Sequence, residues 1–205
     1  MTAPRLVLAS GSTIRRDMLA AAGLAFDVRP SGVDEDAIKA AATADRLSID
    51  DLALRLAEAK ARAVATAGDL CNGDLVIGAD QILDCDGEAF DKPIDLAAAH
   101  GRLRALAGRA HDLVNGAVVV RVGADAPVYR RGERATLKMR DLRDDEIEAY
   151  LAAAGPTLLS SVGGYMVEGL GARLFERIDG SYFTVLGLSL LPLLDFLRRE
   201  ADLPF

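Results

Sequence analysis

The chain contains no tryptophan, and only two cysteines and two histidines among 205 residues; aromatic side chains make up 5%. Cys71 and Cys85 are too few for the disulfide framework of a small secreted domain, so both read as incidental thiols of a reducing compartment. His100 and His111 fall short of a zinc-type ligand set. Any metal is therefore expected to be a hard cation held by carboxylates. No run of about 18 apolar residues is present, which argues against a membrane-spanning helix. The N-terminus lacks the basic segment and apolar run of a signal peptide, so a cytoplasmic protein is expected. Basic residues are outnumbered, 24 Lys and Arg against 31 Asp and Glu, for a net charge of −7. The chain thus lacks the broad positive field of a general nucleic-acid binder, and no stable nucleic-acid complex is expected. A few cations gathered in a cleft could still hold a phosphate.

What is present is an ordinary globular balance, 51% hydrophobic and 27% charged, on a chain long enough to bury a core as one large domain or two small lobes. Short apolar runs at 6–9, 26–28, 75–83 and 174–178 read as strands, with two longer ones at 113–122 and 128–142 joined by a hairpin turn over 123–127. Amphipathic stretches at 13–22, 48–66, 96–106, 144–154 and 188–200 read as helices, several of them ended by glycine. Ser48 and Asp51 resemble a capping box in which Asp stands for Glu. Asp86-Gly87 reads as a turn, 31–36 as an acidic loop and 160–171 as a glycine-rich irregular segment. The alternation of strands and helices gives an α/β class. No Pro- or Ser-rich linker divides the chain, so a single domain over 1–205 is expected.

Four groups of residues sit awkwardly in a purely structural reading. On a helical wheel for 48–66, Asp51, Arg55, Glu58 and Arg62 share one stripe, and Leu52, Ala53, Leu56, Ala57, Ala63 and Val64 lie opposite. Lys60 falls near the middle of the apolar face. Either it snorkels past small alanines to solvent, or that face lines a cleft with an anion in it, since a buried ammonium without one is costly. Asp80 and Gln81 interrupt the apolar run 75–83. They mark either an edge strand or a carboxylate presented at the end of a central strand, where α/β sheets bind ligands. Ser10, Ser12, Arg15 and Arg16 lie at a strand–turn–helix junction, as ordinary capping with a solvated arginine pair or as a phosphate site on a helix N-terminus. Asp34, Glu35 and Asp36 read as a solvated acidic run, and Lys92 before Pro93 as a surface lysine.

Taken together and in order, "LVLASGSTIRRDMLAAAGLAFDV", "VDED", "RLAEAKA", "VIGADQIL", "DGEAFDKP" and "GLGARLFERIDGSYFTVLGL" resemble the Maf family of nucleotide pyrophosphatases over nearly the whole chain. The resemblance implies a Maf/inosine-triphosphatase-like α/β fold with a mixed elongated sheet flanked by helices, two lobes with a central cleft, and often a homodimer. It implies cleavage of a nucleoside triphosphate to monophosphate and pyrophosphate with Mg²⁺ or Mn²⁺. Ser10, Ser12, Arg15 and Arg16 match the family's phosphate-binding start, Lys60 its helix lysine, and Lys92 the lysine of its "GKP" segment, with Asp91 replacing the glycine. Asp80 matches the proton acceptor, and Glu35 a carboxylate that, with Asp80, is used around the metal.

Within the family one branch, resembling "GADT" with a later Gln, prefers dTTP and UTP. Another, resembling "SDQ" with a later Glu, prefers 7-methyl-GTP. Gln81 and Glu168 match the second. A carboxylate at Glu168 can accept from guanine N1–H and its amine together and complements a methylated, cationic ring. Ile14 departs from that branch, which has an aromatic residue there, and Thr13 replaces the usual proline. Two other readings compete. One is an inosine-triphosphate-type pyrophosphatase, whose S-x-N-x-x-K start is lacking here. The other is a non-catalytic regulator of septum formation acting through a binding partner, against which the intact Glu35, Lys60 and Asp80 set argues.

Overall fold

The computed structural model describes residues 4–200, so the first three and last five residues of the expected 1–205 domain lie outside the described residues. The elements are β1 (Leu6–Leu8), α1 (Thr13–Ala21), β2 (Asp27–Val28), α2 (Glu35–Ala44), α3 (Ile49–Ala65), β3 (Leu75–Cys85), β4 (Glu88–Phe90), α4 (Leu96–Leu106), β5 (Ala110–Arg121), β6 (Tyr129–Met139), α5 (Asp144–Ala154), β7 (Phe175–Asp179), α6 (Tyr182–Val185) and α7 (Leu190–Glu200). Among the described residues the strands make one seven-stranded sheet in the order β2-β1-β3-β5-β6-β7, with β4 paired to β3. β1 runs parallel to β2 and β3, whereas β3–β4 and β6–β7 are antiparallel, so the sheet is mixed, as expected.

The chain divides into two compact units. One holds the residues up to Gln81, Asn115–Glu133 and those from Tyr182 on; the other holds Ile82–Val114 and Arg134–Ser181. In the first unit the strand interiors are apolar on both faces because helices cover both. Leu6, Leu8, Leu75, Ile77, Ala117 and Val119 point to one side, where they meet Met18 and Leu19 of α1 and Leu193, Phe196 and Leu197 of α7. The alternate residues Val7, Ala9, Val76, Val118 and Val120 point to the other, against Leu54, Ala57, Ala61 and Val64 of α3. Side chains alternate across a strand, so a run without polar positions is what a doubly covered sheet requires. In the second unit α4 packs on α5. Its aromatic cluster joins His111, Tyr165 and Phe175.

Several local expectations need correction. The acidic run is not all loop: Asp34 accepts the Ala37 N–H as N-cap, and Glu35 and Asp36 open α2, where carboxylates are favoured by the helix N-terminal field. Ser48 does cap α3, accepting from Asp51 N, but the Asp51 carboxylate takes the Ser48 hydroxyl at 2.7 Å instead of reaching back to its amide. The Asp side chain is one methylene shorter than the Glu of a capping box. Asp86 and Gly87 both have positive φ and turn β3 into β4, a strand too short to show a period of its own. β6 stops at Met139, short of Leu142. The closing helix begins at Leu190, after the separate short α6.

Candidate active site

The first unit brings most of the singled-out residues together. Lys60 is buried on the inward face of α3, as the wheel implied, and it does not snorkel. Its Nζ lies 2.6 Å from Asp80 Oδ1 and 2.8 Å from Glu35 Oε1. The side chains of Lys60 and Asp80 are 10% and 11% exposed, and that of Glu35 is 43% exposed. A buried ion pair of this kind is tolerable because each charge has a partner at hydrogen-bond distance. Asp80 stands on β3, which lies between β1 and β5, so the edge-strand reading falls; it sits in the middle of Leu75–Cys85 and not at the expected strand end.

Arg15 forms the second half of the cluster. Its Nε donates to Gly187 O at 2.8 Å, and its Nη1 to Ala79 O at 2.9 Å and to Ser10 Oγ at 3.3 Å. Burial pulls the guanidinium below the usual arginine range, against the raising fields of Asp80 and Glu35. Ser10 Oγ also accepts the Ser12 N–H at 3.2 Å, and Ser12 caps α1 by accepting from Arg15 N at 3.4 Å. The β1–α1 junction is thus tied to the carbonyl immediately before Asp80.

Gln81 Nε2 donates to Thr184 O at 3.0 Å and to Val185 O at 3.2 Å. The same Thr184 carbonyl receives Asn115 Nδ2 at 2.7 Å, and Thr184 Oγ1 donates to Glu133 Oε2 at 2.8 Å. Sequence reasoning missed this polar knot. The only hint of it was Asn115 and Thr184 standing beside apolar runs.

A profile of the family described as Maf-like protein matches residues 5–200. This chain belongs to that family. It is 46% identical over 199 residues to a nucleoside triphosphate pyrophosphatase of Hyphomonas neptunium, covering 97% of this chain and 98% of the relative. It is 46% identical over 195 residues to one of Nitrobacter winogradskyi, covering 95% and 93%. It is 45% identical over 196 residues to a 7-methyl-GTP pyrophosphatase of Rhizobium meliloti, covering 96% of each.

The remaining expected site residues of this Maf-like chain are Ile14, Arg16, Lys92 and Glu168. Arg16 is exposed and paired with its neighbour Asp17 at 2.8 Å. Ile14 is partly buried against the apolar layer of α1 and α7. Lys92 and Glu168 are exposed and belong to the second unit. There the Glu168 charge adds to the burial that raises the Tyr150 phenol, against a backbone hydrogen bond at Met166 that lowers it. Among the described residues no helix is long and apolar enough to cross a membrane.

Proposed function

We propose that this chain hydrolyses a nucleoside triphosphate to the monophosphate and pyrophosphate, with Asp80 as general base. The observation that carries the reading is the buried Lys60–Asp80 pair, with the half-exposed Glu35 on the same ammonium and the clamped Arg15 beside it, in a Maf-like chain whose relatives are named for this reaction. In the reaction a water oxygen attacks the α-phosphorus, the bond from that phosphorus to the oxygen bridging to the β-phosphorus breaks, and the water proton goes to Asp80. Lys60 holds Oδ1 of that carboxylate, which leaves Oδ2 for the proton. Arg15 and Lys60 place positive charge where phosphoryl charge accumulates, and Ser10, Ser12 and Arg16 extend the phosphate-binding surface at the start of α1.

Glu35 and Asp80 would hold a divalent ion, Mg²⁺ or Mn²⁺. Two carboxylate oxygens converge within 2.8 Å of one atom, which is the hard donor chemistry such ions take, with water and phosphate oxygens completing the shell. When bound, the ion supplies charge neutralisation at the phosphates.

The base is proposed to be 7-methylguanine or a related modified purine. Gln81 and Glu168 support this, as does the name of the Rhizobium meliloti relative. With Gln81 Nε2 engaged by two backbone carbonyls, its Oε1 is the group left to accept from a base N–H. The part of Lys92, as a phosphate ligand, and that of Glu168 rest on motif order alone. The test is pyrophosphate release across dTTP, UTP, CTP, GTP, ITP and 7-methyl-GTP with Mg²⁺ or Mn²⁺, with Asp80→Asn alongside. Turnover lost in that variant supports the reading, and turnover unchanged in it removes Asp80 from the chemistry.

A further inference from the structure

The point at which Glu35 and Asp80 meet is the Lys60 ammonium, 2.8 Å from one carboxylate and 2.6 Å from the other. A hard cation that took these same two oxygens, Glu35 Oε1 and Asp80 Oδ1, would lie close to where Nζ lies. The two cannot share that position. Like charges a few ångströms apart in a poorly solvated site repel strongly, and neither would keep its carboxylate contacts undisturbed.

Building on the metal-dependent reading above, we propose that Lys60 is a positioning residue for the metal ligands as well as a phosphate ligand. Its ammonium holds Glu35 and Asp80 together and gives up that position when a divalent ion is taken, turning its own charge to the phosphates. A lysine can do this without movement of α3, because its charge sits at the end of a flexible four-carbon stem. The turn is favourable when an anion is there to receive the ammonium. Divalent metal alone therefore competes with Lys60, whereas metal arriving with a triphosphate brings the oxygens that draw Lys60 away. On this account the affinity of the protein for metal without nucleotide is set by Lys60.

The experiment is a Mn²⁺ titration of the full chain without nucleotide, read by the electron paramagnetic resonance signal of free Mn²⁺. It compares the wild-type chain with Lys60→Met and Lys60→Arg, with far-UV circular dichroism on each. The expected result is at least tenfold tighter Mn²⁺ binding by Lys60→Met, and no tightening by Lys60→Arg, which keeps the charge. If Lys60→Met does not fold, Lys60→Gln takes its place in the same titration. Equal or weaker binding by the uncharged variant overturns the proposal while leaving metal dependence intact. No Mn²⁺ binding by any of the chains, together with wild-type pyrophosphate release that survives EDTA, overturns the metal-dependent reading itself and this proposal with it.

Discussion

Gly78 of β3 faces the backbone of α3 so closely that a Cβ built on it would stand 2.0 Å from the Ala57 carbonyl oxygen. Lys60 follows Ala57 by three residues, and Asp80 follows Gly78 by two. The helix–strand contact that only glycine permits therefore sets the register of the buried ion pair. Gly116 of β5 does the same one helical turn earlier, where a Cβ would meet Ala53 O at 2.4 Å.

Gly78→Ala is expected to push α3 off the sheet. Overpacking of this kind costs about 1–3 kcal/mol, and the backbone contact places it at the upper end of that range. Urea unfolding should show the loss of stability. Steady-state turnover under native conditions should fall as well, because Lys60 moves with the helix.

Asp80→Asn keeps an oxygen for Lys60 and loses the base. The expected outcome is a fall in kcat of about 10²–10⁴-fold, the usual share of general base catalysis. Far-UV circular dichroism should show the fold retained. A variant with wild-type kcat would place the base elsewhere.

Glu168→Gln keeps the shape and removes the charge proposed to complement a methylated purine. Its kcat/KM for 7-methyl-GTP should fall about tenfold or more relative to UTP, the size of one charge-assisted hydrogen bond. Equal losses on both nucleotides would remove Glu168 from base selection.

His111 gives the fold a pH dependence of its own. Burial pulls its pKa from 6.5 to about 4, with Asp112 raising and Arg109 lowering it more weakly. Its Nε2 meets Tyr165 Oη at 2.6 Å, and its Nδ1 is buried with no partner among the described residues. Between those two pKa values the unfolded chain binds a proton that the folded chain refuses. This contribution is therefore complete above about pH 6.5 and is lost as pH falls toward about 4, reaching about 3 kcal/mol. His111→Gln, which keeps a hydrogen-bonding partner for Tyr165, should flatten the stability curve over that window in denaturant titrations.

Much of this was legible in the residues. Lys60 announced itself as a charge on an apolar helix face, and Asp80 as a carboxylate in an apolar strand. Helix α4 falls on the residues its pattern indicated. Helix α2 was hidden because its acidic first turn resembles a solvated loop, and a ten-residue helix with one buried alanine has little apolar stripe to reveal it. The Gly187 and Thr184 carbonyls were invisible in principle, since an acceptor on the backbone has no residue type. Gly78 could have been suspected as a glycine inside a strand, which signals close backbone approach.

Those carbonyls bear on how the site is assembled over time. Arg15, Gln81 and Asn115 reach the 184–187 segment across 172, 103 and 69 residues of chain respectively. Contacts so distant in sequence close late, after the loops between them have been ordered. During synthesis from the N-terminus, the strand and helices that carry Arg15, Glu35, Lys60 and Asp80 leave the ribosome more than a hundred residues before Gly187 does. The nascent chain therefore holds its charged residues in hand well before it holds the anchor that orders Arg15 and Gln81, and a chain cut short of Thr184 would lack that anchor.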